Sequence, residues 1–341
     1  MNRRYKKVVL TREPSVGRPR ETLIEAGFDV TVGPFNWYSG GDPTSEELIN
    51  LIGDADAALV CPRDKIEARV IESCPNLQTL VCAVIGVDKM DQDAATRQGV
   101  LICNSPAPEN FIGLAEATVG LIVVLMKGLK RNEAEVRAGG WYQVGNRGLM
   151  MKGRTVGLVG MGRVAQETAH RLGGWGMRLV GYDPYVDAEA ARKFGVEKLS
   201  LEELLKASDV VSLHVVLTAE TRNLIATREL RLMRRDAVLV NTARGGVVNE
   251  ADLAQALNEG IIAGAALDVF GNEPLERDSP LFEVDPRKLI MTPHIIGHCQ
   301  NVEAPGFEMA VATIRSILDG EVPQTVINRK AVDRWRARFH T

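Results

Sequence analysis

The sequence has little of several features that mark whole classes of protein. Aromatic residues make up 5% of its 341 residues, and the five cysteines are odd in number and follow no paired spacing. Disulfide scaffolds and zinc sites use regular cysteine spacings, so we expect reduced thiols and no metal site. The longest apolar run, residues 119–126, is shorter than the roughly 20 residues of a membrane span.

No large excess of charge of one sign is present either. The 41 basic and 44 acidic residues give a formal net charge of −3, and no basic run contains interleaved aromatics. Nucleic-acid binding is therefore not indicated. The first apolar run, Val8–Leu10, is too short for a signal peptide. We expect a cytoplasmic protein without nucleic-acid or membrane partners.

Short apolar runs alternate with helix-like stretches along most of the chain. This alternation predicts parallel strands joined by helices, in two Rossmann-like, doubly wound α/β units with a cleft between them. A long helix is predicted over residues 109–138 and a last helix over 302–318. The strand-like runs are residues 8–10, 30–32, 57–60, 79–82, 100–102, 155–159, 178–182, 209–214, 237–241, 262–267 and 289–291.

Residues 155–165 read as an apolar strand, a glycine turn and a helix start. Gly160 allows the tight turn, and Gly162 lets the backbone approach a pyrophosphate. The helix that starts at Arg163 and Val164 offers its N–H groups to the anion. Asp183, at the end of the next strand, can accept from both ribose hydroxyls, which favours NAD over NADP. Alone, the glycine turn is equally compatible with a structural turn.

Ionisable side chains follow three later strands of the same unit. Arg244 follows the run 237–241, Asp268 and Glu273 follow 262–267, and His294 follows 289–291. Hydride transfer to a 2-keto acid needs a cation for the carboxylate, a proton donor and a partner for that donor. Arg244, His294 and Glu273 supply one of each. The alternative to these roles is structural: Arg244 would be a surface charge and Glu273 a loop carboxylate without a catalytic function.

With these motifs, the sequence resembles the D-isomer-specific 2-hydroxyacid dehydrogenase family over about residues 55–328. The resemblance implies that Arg244 binds the substrate, that Glu273 pairs with His294, and that His294 is the acid/base. It implies that backbone N–H groups at Val84 and Ile85 hold the substrate carboxylate. The motifs are residues 157–163, 241–246, 265–270, Glu273-Pro274, 292–295 and 320–328.

The resemblance also implies the rest of the organisation. A substrate domain of residues 1–103 is completed by 299–341, residues 104–298 form the NAD-binding domain, and the long helix forms a homodimer. The further cofactor contacts that we predict are His214, Val215, Thr242, Ala243, Arg244, Asp268 and His294, with Asp268 near the nicotinamide.

Some residues depart from the family pattern. Val84 stands where the family usually has glycine, which narrows the loop, and His298 and Cys299 follow the acid/base where small residues are usual. We interpret His298 as a pocket-wall histidine without proton-transfer duty. Trp37, Tyr38 and Arg63 are further candidates for substrate contact in the first unit.

The sequence thus predicts an NAD-dependent oxidoreductase that acts on a small 2-keto or 2-hydroxy acid. Two alternatives remain: a dehydrogenase for another small anion such as phosphite, and a corepressor-like protein that senses NAD(H). The substrate pocket is expected in loops of the first unit, and loop residues alone do not indicate which of these ligands binds.

Overall fold

The computed structural model describes residues 5–14, 16–38, 40–299 and 302–340. The chain divides into two compact units, unit 1 with residues 1–110 and 299–341 and unit 2 with residues 111–298. Residues 104–110, predicted to open the second domain, therefore lie in unit 1. The reason is local: Asn104 Nδ2 donates to the Ile85 carbonyl and the Ser105 N–H donates to the Val84 carbonyl, at 3.0 Å each.

The strands follow the predicted runs closely. The described residues add one short strand, Glu197–Lys198, that has no apolar run to reveal it. The strands are β1 Lys7–Glu13, β2 Asp29–Asn36, β3 Ala57–Val60, β4 Thr79–Cys82, β5 Leu101–Cys103, β6 Thr155–Val159, β7 Arg178–Tyr182, β8 Glu197–Lys198, β9 Val210–Leu213, β10 Val238–Asn241, β11 Gly264–Leu267 and β12 Leu289–Met291.

Helices connect these strands, and several begin at a side-chain cap. Thr44 and Ser200 each form a capping box with the glutamate three residues later. The helices are α1 Pro19–Glu25, α2 Ser45–Ile52, α3 Ala68–Glu72, α4 Gln92–Gln98, α5 Pro108–Lys127, α6 Leu129–Arg137, α7 Arg163–Leu172, α8 Ala188–Arg192, α9 Leu201–Ala207, α10 Thr227–Leu232, α11 Glu250–Asn258, α12 Glu303–Leu318 and α13 Val332–Phe339.

Unit 1 is built on a five-stranded sheet in the order β2-β1-β3-β4-β5. All of its strand pairs are parallel. One face packs against α12 and α13 through Phe307, Ile314 and Trp335, and the other packs against α2, α3 and α4 through Leu48, Val70 and Ala94. Helices on both faces are the arrangement expected for buried parallel strands.

Unit 2 has a seven-stranded sheet in the order β12-β11-β10-β9-β6-β7-β8, again with parallel pairs. The chain order reverses between β6 and β9, and ligands of such sheets bind at the carboxyl ends of strands beside that reversal. The doubly wound fold predicted from the sequence is confirmed.

The prediction of a single long helix over residues 109–138 is wrong about continuity. It is two helices, α5 and α6, separated by Gly128, whose φ is +60°. Glycine adopts this left-handed conformation without the steric cost that a Cβ brings, so it ends α5 and lets α6 start in a new direction.

Helix α5 is also long and apolar enough to cross a membrane by length and composition alone. A third of its most apolar window (33%) is buried inside the protein. The core helix of a soluble protein passes the same test, so this feature is weak evidence for a membrane span.

Candidate active site

The predicted functional residues of unit 2 follow neighbouring parallel strands. Strands β10, β11 and β12 are adjacent, and each register aligns their last residues: Asn241 faces Leu267, and Leu267 faces Met291. Because carboxyl ends of parallel strands meet at one edge, the loops carrying Arg244, Glu273 and His294 leave the sheet side by side.

The glycine turn after β6 has the geometry that its sequence predicts. Gly160 has a φ of +93°, and a Cβ there would lie 2.8 Å from the backbone C and O of His214 and 3.0 Å from Val215 Cγ1. A Cβ on Gly162 would meet open space, and Gly162 is the N-cap of α7 with no side-chain cap. The helix N-terminus therefore presents its N–H groups to an anion.

Asp183 has a contact that the sequence did not reveal. Its Oδ2 accepts from the Met161 N–H at 2.9 Å, inside the glycine turn, and its Oδ1 accepts from the Tyr185 N–H at 2.8 Å. Each carboxylate oxygen can accept a second hydrogen bond, so a ribose contact remains compatible with this geometry. The predicted cofactor residue also fixes the turn.

His214 lies at the end of β9, on the other side of the chain reversal. Its N–H donates to the Val159 carbonyl at 2.7 Å, and its Nε2 lies 2.9 Å from Ser212 Oγ. Burial lowers the pKa of His214 to about 4. The ring is therefore neutral at pH 7 and bound to a hydroxyl.

Asn241 shapes the loop that carries Arg244. Its Oδ1 accepts from the Ala243 N–H at 3.1 Å, and its Nδ2 donates to the Arg244 carbonyl at 3.0 Å. Arg244 Nη1 donates to the Ala243 carbonyl at 2.7 Å, and the buried Thr242 hydroxyl lies 2.9 Å from that of Thr118. One guanidinium nitrogen of Arg244 is thus hydrogen-bonded to the backbone of its own loop.

Glu273 and His294 form the pair that the sequence predicts. His294 Nδ1 lies 2.8 Å from Glu273 Oε2, while Glu273 Oε1 accepts from the Phe270 N–H at 3.0 Å. With Nδ1 paired, Nε2 is the ring nitrogen that can exchange a proton with a substrate. The bond between Glu273 and Pro274 is cis.

Asp268 organises the turn that presents His294. Its carboxylate accepts from the Thr292 hydroxyl at 2.6 Å, from the Ile295 N–H at 3.1 Å and from the Ile296 N–H at 3.3 Å, and its carbonyl accepts from the His294 N–H. These bonds fix His294 at a φ of +52°. Burial raises the pKa of Asp268. Sequence reasoning missed this positioning role.

At Gly245 the loop of Arg244 packs closely against the loop of Glu273. A Cβ at this position would overlap the carbonyl group of Phe270 and the nitrogen of Gly271. The backbone after Arg244 thus lies directly against the segment that leads to Glu273.

In unit 1, Val84 and Ile85 lie in the loop after β4. Their carbonyls are held by Ser105 and Asn104 as described above. Within residues 5–14, 16–38, 40–299 and 302–340, the Ile85 N–H has no hydrogen-bond acceptor. The loop therefore offers a donor of the kind predicted for a substrate carboxylate.

The cysteines and His298 are the remaining candidates that the sequence offers for metal or thiol chemistry. The described part of the chain contains no group of three or more His, Cys, Asp or Glu that could hold a metal ion. Burial raises the pKa of Cys61 and Cys74 to about 11 and of Cys82 and Cys103 to about 12, while Cys299 is exposed. Burial also lowers the pKa of His298, and His294 lowers it further.

These residues fit a dinucleotide. The open space above Gly162 admits a pyrophosphate at the start of α7, and Asp183 lies at the end of the adjacent β7.

Comparison with known proteins agrees with this site. Residues 119–295 match the family described as D-isomer specific 2-hydroxyacid dehydrogenase, NAD binding domain. The TT0316 protein from Thermus thermophilus superposes with a TM-score of 0.83 at 33% identity, over 94% of this chain and 99% of that one.

The chain covers different shares of two of its relatives. It is 37% identical to D-3-phosphoglycerate dehydrogenase of Methanocaldococcus jannaschii over 286 residues, 84% of this chain and 54% of the relative. It is 35% identical to glyoxylate reductase of Korarchaeum cryptofilum over 335 residues, 96% of this chain and 97% of the relative. The chain thus spans about half of one relative and nearly all of the other. The predicted family and its NAD cofactor are confirmed, and the chain belongs to the D-isomer-specific 2-hydroxyacid dehydrogenases, a family of NAD-dependent oxidoreductases.

Proposed function

We propose that this protein reduces a 2-keto acid to the D-2-hydroxy acid, reversibly. The observation that carries the proposal is the 2.8 Å contact between His294 and Glu273, beside the loop of Arg244. NADH, when bound, supplies the hydride that reaches C2 of the substrate.

His294 supplies the proton. Its Nε2 gives a proton to the carbonyl oxygen during reduction and takes it from the hydroxyl during oxidation. Glu273 holds Nδ1 and stabilises the protonated ring, and the Phe270 N–H keeps Glu273 in place. Asp268 orients His294 through the turn at residues 292–296.

Arg244 binds the substrate carboxylate. Its planar guanidinium matches two carboxylate oxygens. For unit 1, we propose that the Val84–Ile85 backbone binds a substrate carboxylate, which the Ile85 N–H, without an acceptor among the described residues, supports.

For the cofactor, we propose that Gly160, Gly162, Arg163 and Val164 hold the pyrophosphate and that Asp183 holds the ribose. His214, Val215, Thr242, Ala243, Arg244, Asp268 and His294 are the further proposed contacts. The fit of the open Gly162 turn supports this assignment.

A homodimer and a cytoplasmic location stay predictions. Helix α5 supports the dimer, because Val119, Val123 and Val124 on it are only half-buried. Sedimentation velocity of the purified protein tests it, and a monomer at micromolar concentration contradicts it.

The experiment is NADH consumption by the purified protein with glyoxylate, hydroxypyruvate, pyruvate and branched or aromatic 2-keto acids. We expect turnover with at least one of them. His294→Ala should lower kcat by about 10²-fold or more, since general acid–base groups contribute this much, and should change NADH binding far less, because His294 is only one of many proposed cofactor contacts. The matched control is His170→Ala, at an exposed position of α7.

Three results would contradict the proposal. Turnover that survives in His294→Ala removes the role of that residue. Bound NADH with no turnover of any 2-keto acid, but with oxidation of phosphite by NAD, assigns another anion. Inactivity together with NADH-dependent recovery of a protein partner assigns a sensing role.

A further inference from the structure

Glu250, the first residue of α11, makes a hydrogen bond that the reaction proposed above does not use. Its Oε1 accepts from the Gly271 N–H at 2.6 Å. Gly271 lies in the loop after β11, two residues before Glu273. A carboxylate that accepts at this distance forms a strong, charge-assisted hydrogen bond, so the loop that carries Glu273 is attached to the start of α11.

The peptide group between Phe270 and Gly271 is held by two contacts. The backbone of Gly245 lies so close that a Cβ there would be 1.9 Å from the carbonyl carbon of Phe270 and 2.4 Å from the nitrogen of Gly271. Glu250 accepts from the N–H of the same peptide. Both contacts come from residues 245–250, and together they fix this short segment to the loop that leads to the glutamate.

The preceding peptide group binds the glutamate of the proposed catalytic pair. The Phe270 N–H donates to Glu273 Oε1 at 3.0 Å, and Glu273 Oε2 lies 2.8 Å from His294 Nδ1. The successive N–H groups of Phe270 and Gly271 thus donate to two different carboxylates. Because the two planar peptides share the Cα of Phe270, a displacement of the second peptide is passed to the N–H that holds Glu273.

Helix α11 gives Glu250 a fixed position. Asn249 caps the N-terminus of the helix with its side chain. Leu253 and Leu257 are fully buried in the core of unit 2. The described residues 268–279 form neither helix nor strand, so their loop depends on contacts of this kind for its conformation.

A carboxylate in the first turn of a helix also has a plain local role, because it interacts favourably with the positive end of the helix dipole. That role needs only the negative charge. The hydrogen bond to Gly271 needs an acceptor oxygen at the right reach. Substitutions that separate charge from reach therefore distinguish the two roles.

We infer that Glu250 is a positioning residue for the proposed acid/base pair. The inference rests on the proposed function. The carboxylate of Glu250 fixes the peptide between Phe270 and Gly271, this peptide keeps the preceding N–H on Glu273, and Glu273 holds His294 for proton transfer. Glu250 acts through the loop and exchanges no proton with the substrate.

The test measures kcat for reduction of a 2-keto acid in three variants of Glu250. Glu250→Ala removes the acceptor and should lower kcat by about 10-fold, since a misplacement of about 1 Å costs up to about 10²-fold. Glu250→Gln keeps an acceptor oxygen at the same reach and should stay within about 3-fold of wild type. Glu250→Asp keeps the charge but is one methylene shorter, so its kcat should fall toward that of Glu250→Ala. NADH binding should stay within about 2-fold of wild type in all three.

The order of the Gln and Asp variants decides between the two roles. If Glu250→Asp retains more activity than Glu250→Gln, the charge at the helix start matters and the inference is overturned. Equal thermal unfolding midpoints exclude misfolding, and if Glu250→Ala has a lower midpoint, the comparison of Gln with Asp decides alone. The matched control is Glu259→Ala, an exposed glutamate at the other end of α11 that binds Gln255, and it should behave as wild type.

A double-mutant cycle tests whether the effect passes through Glu273. In a Glu273→Ala background, Glu250→Ala should lower kcat by less than about 2-fold, because the side chain that the loop positions is already absent. A second loss of about 10-fold in that background would show an independent effect and overturn the inference.

The inference and the proposed function fail in different ways. If a 2-keto acid is reduced and Glu250→Ala keeps kcat within about 2-fold of wild type, the inference is overturned and the proposed function stands. If no 2-keto acid is reduced, NMR of protein labelled with ¹⁵N-histidine decides, with the His294 signals assigned from His294→Ala. Ring-nitrogen shifts of His294 that change in Glu250→Ala and return in Glu250→Gln support the inference, and unchanged shifts overturn it.

Discussion

The neutral state of His214 makes the stability of the protein depend on pH. Burial lowers the pKa of His214 to about 4, while an unfolded histidine titrates near 6.5. As the pH falls below about 6.5, the unfolded chain gains a proton that the folded protein does not accept until about pH 4. The free energy of unfolding therefore falls across this window.

The size of the effect follows from the pKa difference. At about 1.36 kcal/mol per pKa unit, the loss between pH 7 and pH 5 is at most about 2 kcal/mol. The ring is half-buried by area, and partial solvent access reduces the expected loss to about 1 kcal/mol. The hydrogen bond between His214 Nε2 and Ser212 Oγ is made by the neutral ring and agrees with this direction.

The assay is urea unfolding at pH 7 and pH 5, followed by circular dichroism, for wild type and His214→Gln. Glutamine does not titrate and can still bond to Ser212, so the variant should lose about 1 kcal/mol less than wild type between the two pH values. His170→Gln changes an exposed histidine of the same unit and is the control. An equal loss in wild type and His214→Gln would refute burial as the cause of the neutral ring.

Three further substitutions test the site. Asp183→Ala should weaken NAD binding about 10-fold more than NADP binding, because a charged acceptor for the ribose is lost; equal weakening in titrations with both dinucleotides would sink this role. Asp268→Asn leaves a buried donor of the His294 turn unpaired, so urea unfolding should show a loss of about 1–3 kcal/mol and assays a lower kcat; unchanged values would contradict the positioning role. Gly160→Ala should lower the unfolding midpoint, because its φ is +93° and its Cβ would meet the His214 backbone, whereas Gly162→Ala should keep the midpoint and weaken NADH binding; the reverse result would contradict the assigned turn geometry.

Much of the fold was predictable because buried parallel strands leave continuous apolar runs. Strands β3, β4, β6, β7 and β12 have the bounds that the sequence indicates. The edge strand β8 and helix α13 were not predicted, because neither leaves a continuous apolar run in the sequence. Strand β8 has two polar residues, and apart from the buried Trp335 the residues of α13 are partly or fully exposed.

The sequence predicted the site residues whose chemical type and position after a strand are both part of a motif. The pairing of Glu273 with His294 is one such case, because both residues follow neighbouring strands. The contacts of Asp183 to Met161 and of Asp268 to the His294 turn were not predictable, because a carboxylate can accept from a distant backbone N–H without any local sequence signal.

The close approach of Gly245 to Phe270 has a consequence for recombination between relatives. A chimera that takes the arginine loop from one parent and the glutamate loop from another must match two backbones that touch without an intervening side chain. Exchange of residues 241–274 as one block preserves that contact, whereas a crossover between Gly245 and Phe270 breaks it. In shuffled libraries of this family, active clones should therefore inherit both loops from the same parent.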